Sequence, residues 1–181
     1  MLKVNTTTYS PSECGIRIAV MYGSQTGNAD AISQELADFL RAEVDGTVIR
    51  CSLNEYIDSN ELGAMAKDAT CVLIVCSTTG NGEPPENALK FWRKVKARSL
   101  DKQLFSGLPY TVLALGDSNY DQFCSTGKQF HKRFQELGAV PMSPLYCVDA
   151  VGDMEDDVEK WIDSTVRLVK TRYGHTTDES S

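Results

Sequence analysis

Two kinds of apolar spacing alternate along this chain. Short continuous runs stand at 17–22 (RIAVMY), 47–52, 70–76 (TCVLIVC) and 110–115 (YTVLAL), with a fifth, proline-interrupted run at 139–146. Runs of this length predict strands, and 70–76, apolar throughout, predicts one covered on both faces. Between them apolar residues recur at helical steps: Ile32, Leu36, Phe39 and Leu40; Ala88, Phe91, Trp92 and Val95; Phe130, Phe134 and Leu137; Val158, Trp161, Ile162, Thr165 and Val169. The first set predicts a helix over 28–44, a short weak helix is expected in the 60–67 region, and Gly138 ends the helix of Phe130. Pro141 and Pro144 place the last strand near a sheet edge. Five strands alternating with five helices predict an α/β architecture, a doubly wound five-stranded parallel sheet with right-handed crossovers and helices on both faces.

With strand order 2-1-3-4-5 the chain reverses direction between strands 1 and 3, and ligands bind in the crevice outside the strand ends at that point. The loops after strands 1, 3 and 4 meet there. They read Gly23-Ser24-Gln25-Thr26-Gly27-Asn28-Ala29, Ser77-Thr78-Thr79-Gly80-Asn81-Gly82-Glu83-Pro84-Pro85, and Gly116-Asp117-Ser118-Asn119-Tyr120-Asp121-Gln122-Phe123-Cys124. In the first, Gly23 and Gly27 permit tight turns, Ser24, Thr26 and Asn28 offer side-chain donors, and the amides around 27–29 open a helix, whose N-terminus favours an anion. The loop holds no Lys or Arg, and neither the G-x-x-x-x-G-K-[ST] nor the G-x-G-x-x-G pattern is present. A monophosphate held by about six neutral donors, roughly 1.5–3 kcal/mol each before ordering, fits better than a triphosphate. Tyr120 suits stacking on a flat heterocycle carried by that phosphate. Gly80 and Gly82 permit a peptide to flip and present either its carbonyl or its amide to a ring nitrogen.

Composition narrows the class. At 181 residues and 41% hydrophobic content, the chain fits one domain over 15–173, able to bury roughly 70% of its unfolded surface. A polar N-terminus (1–14) and a tail or linker start (174–181) flank it. The six cysteines, Cys14, Cys51, Cys71, Cys76, Cys124 and Cys147, form no C-x-x-C pair and read as reduced thiols, not metal ligands. The first fourteen residues carry one Lys and fit neither a signal peptide nor a membrane anchor, so a cytoplasmic location is expected. A net charge of −7 argues against nucleic acid and for a basic or mixed-charge protein partner. Six carboxylates crowd Asp149 to Glu159, while Lys90, Arg93, Lys94, Lys96 and Arg98 read as the solvated face of one helix. His131 and His175 form no evident nucleophile–base pair, and no catalytic residue is expected.

On these residues the chain resembles the FMN-binding, flavodoxin-like domain of the NADPH-dependent diflavin reductases, over about residues 15–173. Ser24, Gln25, Thr26, Gly27, Asn28 and Ala29 resemble the phosphate loop of that family. Ser77, Thr78, Thr79, Gly80, Asn81 and Gly82 resemble its inner flavin loop. Leu115, Gly116, Asp117, Asn119 and Tyr120 resemble the outer loop, with Phe123 and Cys124 completing it, and Asp149 matches an acidic position near the flavin. The run Tyr120 to Lys128 and the double proline are most similar to methionine synthase reductase. Thr79 stands where relatives often carry an aromatic ring, and one missing stack costs about 0.5–1.5 kcal/mol.

The resemblance implies FMN as cofactor and an electron-transfer module. It takes electrons singly from an FAD/NADPH reductase domain and passes them to a corrin, haem or iron–sulfur acceptor. Asp117, Asp121, Glu83 and Asp149 are expected to ring the crevice. One carboxylate ~8 Å from an anionic reduced flavin costs about 2 kcal/mol at an effective dielectric of 20, roughly 90 mV for one electron. A stand-alone flavodoxin, or an FMN-dependent NAD(P)H quinone reductase, are the alternatives.

Overall fold

The computed structural model describes residues 15–174; the expected polar N-terminus and nearly all of the expected tail lie outside the described residues. β1 (Arg17–Gly23), β3 (Cys71–Ser77) and β4 (Pro109–Gly116) form the middle of a parallel sheet, with β2 (Thr47–Ser52) beyond β1. The order β2-β1-β3-β4-β5 is the doubly wound one that the alternation predicts. Every residue of β3 from Cys71 to Cys76 is fully buried, because helices cover both sides of it.

The period-2 alternation of each strand sorts its side chains between the two cores. Ala19, Met21, Val72, Ile74 and Cys76 face one layer of helices: α2 (Leu53–Ser59), α3 (Ala64–Asp68), α4 (Glu86–Val95) and α5 (Ser125–Glu136). Ile18, Val20, Cys71, Leu73 and Val75 face the other layer, α1 (Asn28–Glu43) and α6 (Met154–Tyr173). Gly138 does end α5 in a left-handed turn (φ 91°). Among the described residues no helix is long and apolar enough to cross a membrane.

Two elements differ from the periodicity. The expected helix near 60–67 is α3, but α2 precedes it in a stretch too short to show a period. Its start is fixed by a capping box: the Glu55 amide donates to Ser52 Oγ (3.2 Å), and the Ser52 amide donates to the Glu55 carboxylate (2.7 Å). The expected strand over 139–146 is split into β5 (Val140–Pro141), beside the start of β4, and β6 (Tyr146–Asp149), beside its end. Two prolines without amide donors break the ladder between them, and a Thr111–Ser143 hydroxyl contact (2.6 Å) holds the bridging segment to β4.

Candidate functional site

The loops after β1, β3 and β4 enclose a crevice of about 220 Å³, open to solvent on its outer side, at the carboxyl ends of the strands. The first loop contributes Thr26 and Asn28, the second Ser77, Thr78, Thr79 and Gly80, and the third Leu115, Gly116, Asp117, Tyr120 and Gln122. Ala150 and Met154, at the start of the last crossover, close the remaining side. A concave site at the switch point is where sheets of this kind hold small molecules.

The first loop ends in an uncapped helix. Gly27 sits at the N-cap of α1 with φ 100°, and its position has no side-chain cap. The first intrahelical bond is Ala31 N–H to the Gly27 carbonyl (2.9 Å). Among the described residues the amides of Asn28, Ala29 and Asp30 have no acceptor, although Ala29 is completely buried. A buried amide without a partner costs about 1–3 kcal/mol, and an anion at the helix N-terminus would satisfy it. Thr26 and Asn28 are exposed and their side chains are likewise unengaged. Ser24 is differently used: its hydroxyl accepts from Gly27 N–H (3.0 Å), and its own amide donates to Asn87 Oδ1 of α4 (2.9 Å). Ser24 thus shapes the loop, and with Gln25 it lines a separate shallow depression beside Asn87.

The charge at this helix end was not legible locally. Asp30, in the first turn, would repel an anion. The guanidinium of Arg50, from β2, pairs with that carboxylate, donates to the Asp30 carbonyl (3.0 Å) and to Ser33 Oγ (3.0 Å), and lies 4.4 Å from the Tyr22 ring centroid. Arg50 is twenty residues from Asp30, and the packing of α1 against β2 brings them together.

In the second loop the two glycines separate in role. Thr79 N–H and Oγ1 both donate to the Glu83 carbonyl (3.0 and 2.9 Å), and Gly82 N–H returns to the Thr79 carbonyl (2.8 Å). The Gly82 carbonyl accepts from Ser125 Oγ (2.8 Å), and a Cβ on Gly82 would stand 2.9 Å from Gln122 Cβ. Gly82 is a fixed corner. Gly80, on the crevice with nothing within 4 Å of an added Cβ, keeps the freedom expected of both. Ser77 Oγ donates to the Gly23 carbonyl (3.2 Å), tying the second loop to the first. Asn81 is exposed and does not line the crevice.

The third loop is a turn braced from β6. Tyr120 N–H donates to the Asp117 carbonyl (3.1 Å) and Asn119 N–H to the Asp117 carboxylate (2.8 Å). Asp149 accepts from the amides of Ser118 (3.0 Å) and Val151 (3.1 Å). Its bonds to Ser118, then to Val151, hold its carboxyl below the ordinary aspartate range. Tyr120 is 57% exposed on the crevice wall. Phe123 and Cys124 lie behind the loop: Phe123 is half-buried near Lys128, and Cys124 is fully buried. Of the four expected rim carboxylates, Asp117 alone is among the lining residues, while Asp149 acts as a brace.

The sequence family described as flavodoxin matches residues 20–161. Over 150 residues the chain is 39% identical to the sulfite reductase [NADPH] flavoprotein alpha-component of Bacillus subtilis, covering 83% of this chain and 23% of that protein. It is 35% identical over 150 residues to the NADPH-dependent diflavin oxidoreductase 1 of Xenopus laevis, covering 80% and 24%. The chain therefore spans about a quarter of the length of these curated relatives. A solved single-site mutant of a flavodoxin from Pseudomonas aeruginosa superposes with a TM-score of 0.68 at 30% identity, covering 86% of this chain and 99% of that one.

Proposed function

Given that the chain belongs to the flavodoxin family, we propose that it is an FMN-dependent electron-transfer domain. It takes electrons singly from an FAD/NADPH reductase module and passes them to a redox-protein acceptor. The observation that carries the reading is the uncapped first turn of α1, with a buried, unpartnered amide at Ala29, opening onto a crevice walled by Gly80 and Tyr120.

The residues present fit FMN. The phosphate is held by the amides of the first turn of α1 and by Thr26 and Asn28, with Arg50 neutralising Asp30 so that no uncompensated carboxylate faces it. FMN, when bound, supplies a ring that accepts and releases electrons one or two at a time. Tyr120 gives that ring an aromatic wall, the Gly80 peptide is free to turn either its carbonyl or its amide inward, and the Asp117 carboxylate disfavours added negative charge in the crevice. Asp149 keeps the third loop in place. The domain proper is 15–173. The names of the relatives support an NADPH-linked flavoprotein context. The run from Tyr120 to Lys128 supports a place near methionine synthase reductase, with a corrin, haem or iron–sulfur protein as acceptor.

The test is the visible spectrum of the purified chain with its chromophore identified after release. About one FMN per chain, not bleached by NADPH until a reductase is added, is the expected result. A colourless chain that takes up no added FMN overturns the reading, and bleaching by NADPH alone replaces it with a quinone-reductase type of activity.

A further inference from the structure

Two cysteines meet beneath the third loop, outside the crevice. Ala114 of β4 and Cys147 of β6 are register partners. Val148, the next residue, is buried among α1 and α6, so Cys147 points the other way, toward α5. There α5 approaches β4 closely: a Cβ on Gly127 would stand 2.3 Å from Ala114 Cβ. Cys124 occupies the N-cap of that helix with φ 55°, the one non-glycine residue at positive φ among the described residues. Its sulfur lies 3.4 Å from the Ala114 carbonyl and 3.8 Å from the Val148 carbonyl, which seats it between β4 and β6, beside the register partner of Ala114, Cys147.

The two thiols are unequal. Cys147 is half-buried and reachable from solvent, while Cys124 is fully enclosed. The neighbouring Cys124 thiol, aided by the Lys128 ammonium, holds Cys147 below the ordinary thiol range, and the neighbouring Cys147 together with burial pushes Cys124 above it. Thiolate character beside a lysine ammonium, at a solvent-reachable position, is the setting of a reactive cysteine. Cys51 is a natural contrast: also half-buried, its thiol is pushed up to about 11, first by burial and then by Glu55.

We propose that Cys124 and Cys147 are a redox modification site, at which Cys147 attacks an external low-molecular-weight disulfide and Cys124 resolves the adduct into an intramolecular disulfide. In the first step the Cys147 thiolate forms a bond to one sulfur of the reagent, the reagent's S–S bond breaks, and one thiolate leaves. In the second, Cys124 gives up its proton to that released thiolate and its sulfur attacks Cys147. The mixed disulfide breaks and the second thiol leaves. The pair loses two electrons, the external disulfide gains them, and two small thiols are released. The bond would join the end of the third loop, four residues beyond Tyr120, to the strand whose Asp149 already braces that loop.

The experiment uses the full chain carrying Cys14→Ser, reduced and then exposed to oxidised glutathione, with non-reducing digestion and mass spectrometry. The expected product is a peptide joining Cys124 to Cys147, two hydrogens lighter than the reduced pair. Cys124→Ser should instead leave Cys147 carrying glutathione, and Cys147→Ser should leave both the adduct and the cross-link absent. A second measurement needs no cysteine-pair variant: dithiodipyridine should label Cys147 at least about tenfold faster than Cys51. No cross-link, with Cys147 reacting no faster than Cys51, overturns the proposal. So does a wild-type chain that retains glutathione on Cys147 without closing the bond.

Discussion

Thr26 and Ser24 sit two residues apart in the same loop, carry the same hydroxyl, and should respond oppositely to its removal. Thr26 Oγ1 is exposed on the crevice and bonds nothing among the described residues, so Thr26→Ala removes no interaction of the empty protein. Its cost falls on the ligand. A hydroxyl bond to a charged phosphate contributes about 1.5–3 kcal/mol. Exposure reduces that to about 1–2 kcal/mol, because water recovers part of it. That is a roughly 5- to 30-fold weaker FMN affinity at 1.4 kcal/mol per factor of ten. Ser24→Ala instead strands the Gly27 amide, costing about 0.5–1.5 kcal/mol of stability before any ligand is present. Titration by quenching of FMN fluorescence gives the affinities, and urea denaturation of the FMN-free protein gives the stabilities. The reasoning fails if Thr26→Ala binds FMN as tightly as the wild type, or if it lowers the urea midpoint as much as Ser24→Ala does.

Tyr120→Ala should weaken FMN binding by about 0.5–1.5 kcal/mol and shift the visible absorbance of the bound flavin; an unaltered spectrum would make Tyr120 a surface residue only. Glu55 is held below its ordinary value of 4.5, first by the bond from the Ser52 amide. A depressed folded pKa contributes stability that is present above that value and lost as pH falls through the lowered one. Glu55→Gln should therefore flatten the acid side of the stability–pH curve in thermal melts; a parallel curve would refute the capping role. Gly127→Ala forces α5 away from Ala114 and should cost about 1–3 kcal/mol in urea denaturation; an unchanged midpoint would show that the helix moves freely.

The sheet was readable because each central strand is apolar over its length and each main helix carries a clear stripe. α2 lacked a stripe at seven residues, yet Ser52 and Glu55 three positions apart were a local signal of its start. The last strand differs in extent from its apolar run because Pro141 and Pro144 interrupt the ladder and do not merely weaken it. At the site, Thr26, Asn28, Gly80, Asp117 and Tyr120 were legible as glycine, hydroxyl, amide, acidic and aromatic residues in loops at one sheet rim. Arg50 was not, since its partner Asp30 is brought to it by the packing of α1 on β2. Gln122, Ala150 and Met154 carry no chemistry that marks them and enter the wall by position alone. The division of labour between Gly80 and Gly82 depends on Ser125, forty-three residues away from Gly82.

The split edge strand has a bearing on how copies of this protein meet. A sheet margin invites another chain wherever it offers an unbroken row of free amides and carbonyls. On the β5–β6 side that row is two residues, a gap, and four residues, with Pro141 and Pro144 among them, so an incoming strand finds no register to lock into. The margin at β2 is a continuous six residues with Ile49 43% exposed. Of the two sheet margins among the described residues, β2 is therefore the one with a continuous row suited to templating cross-strand growth.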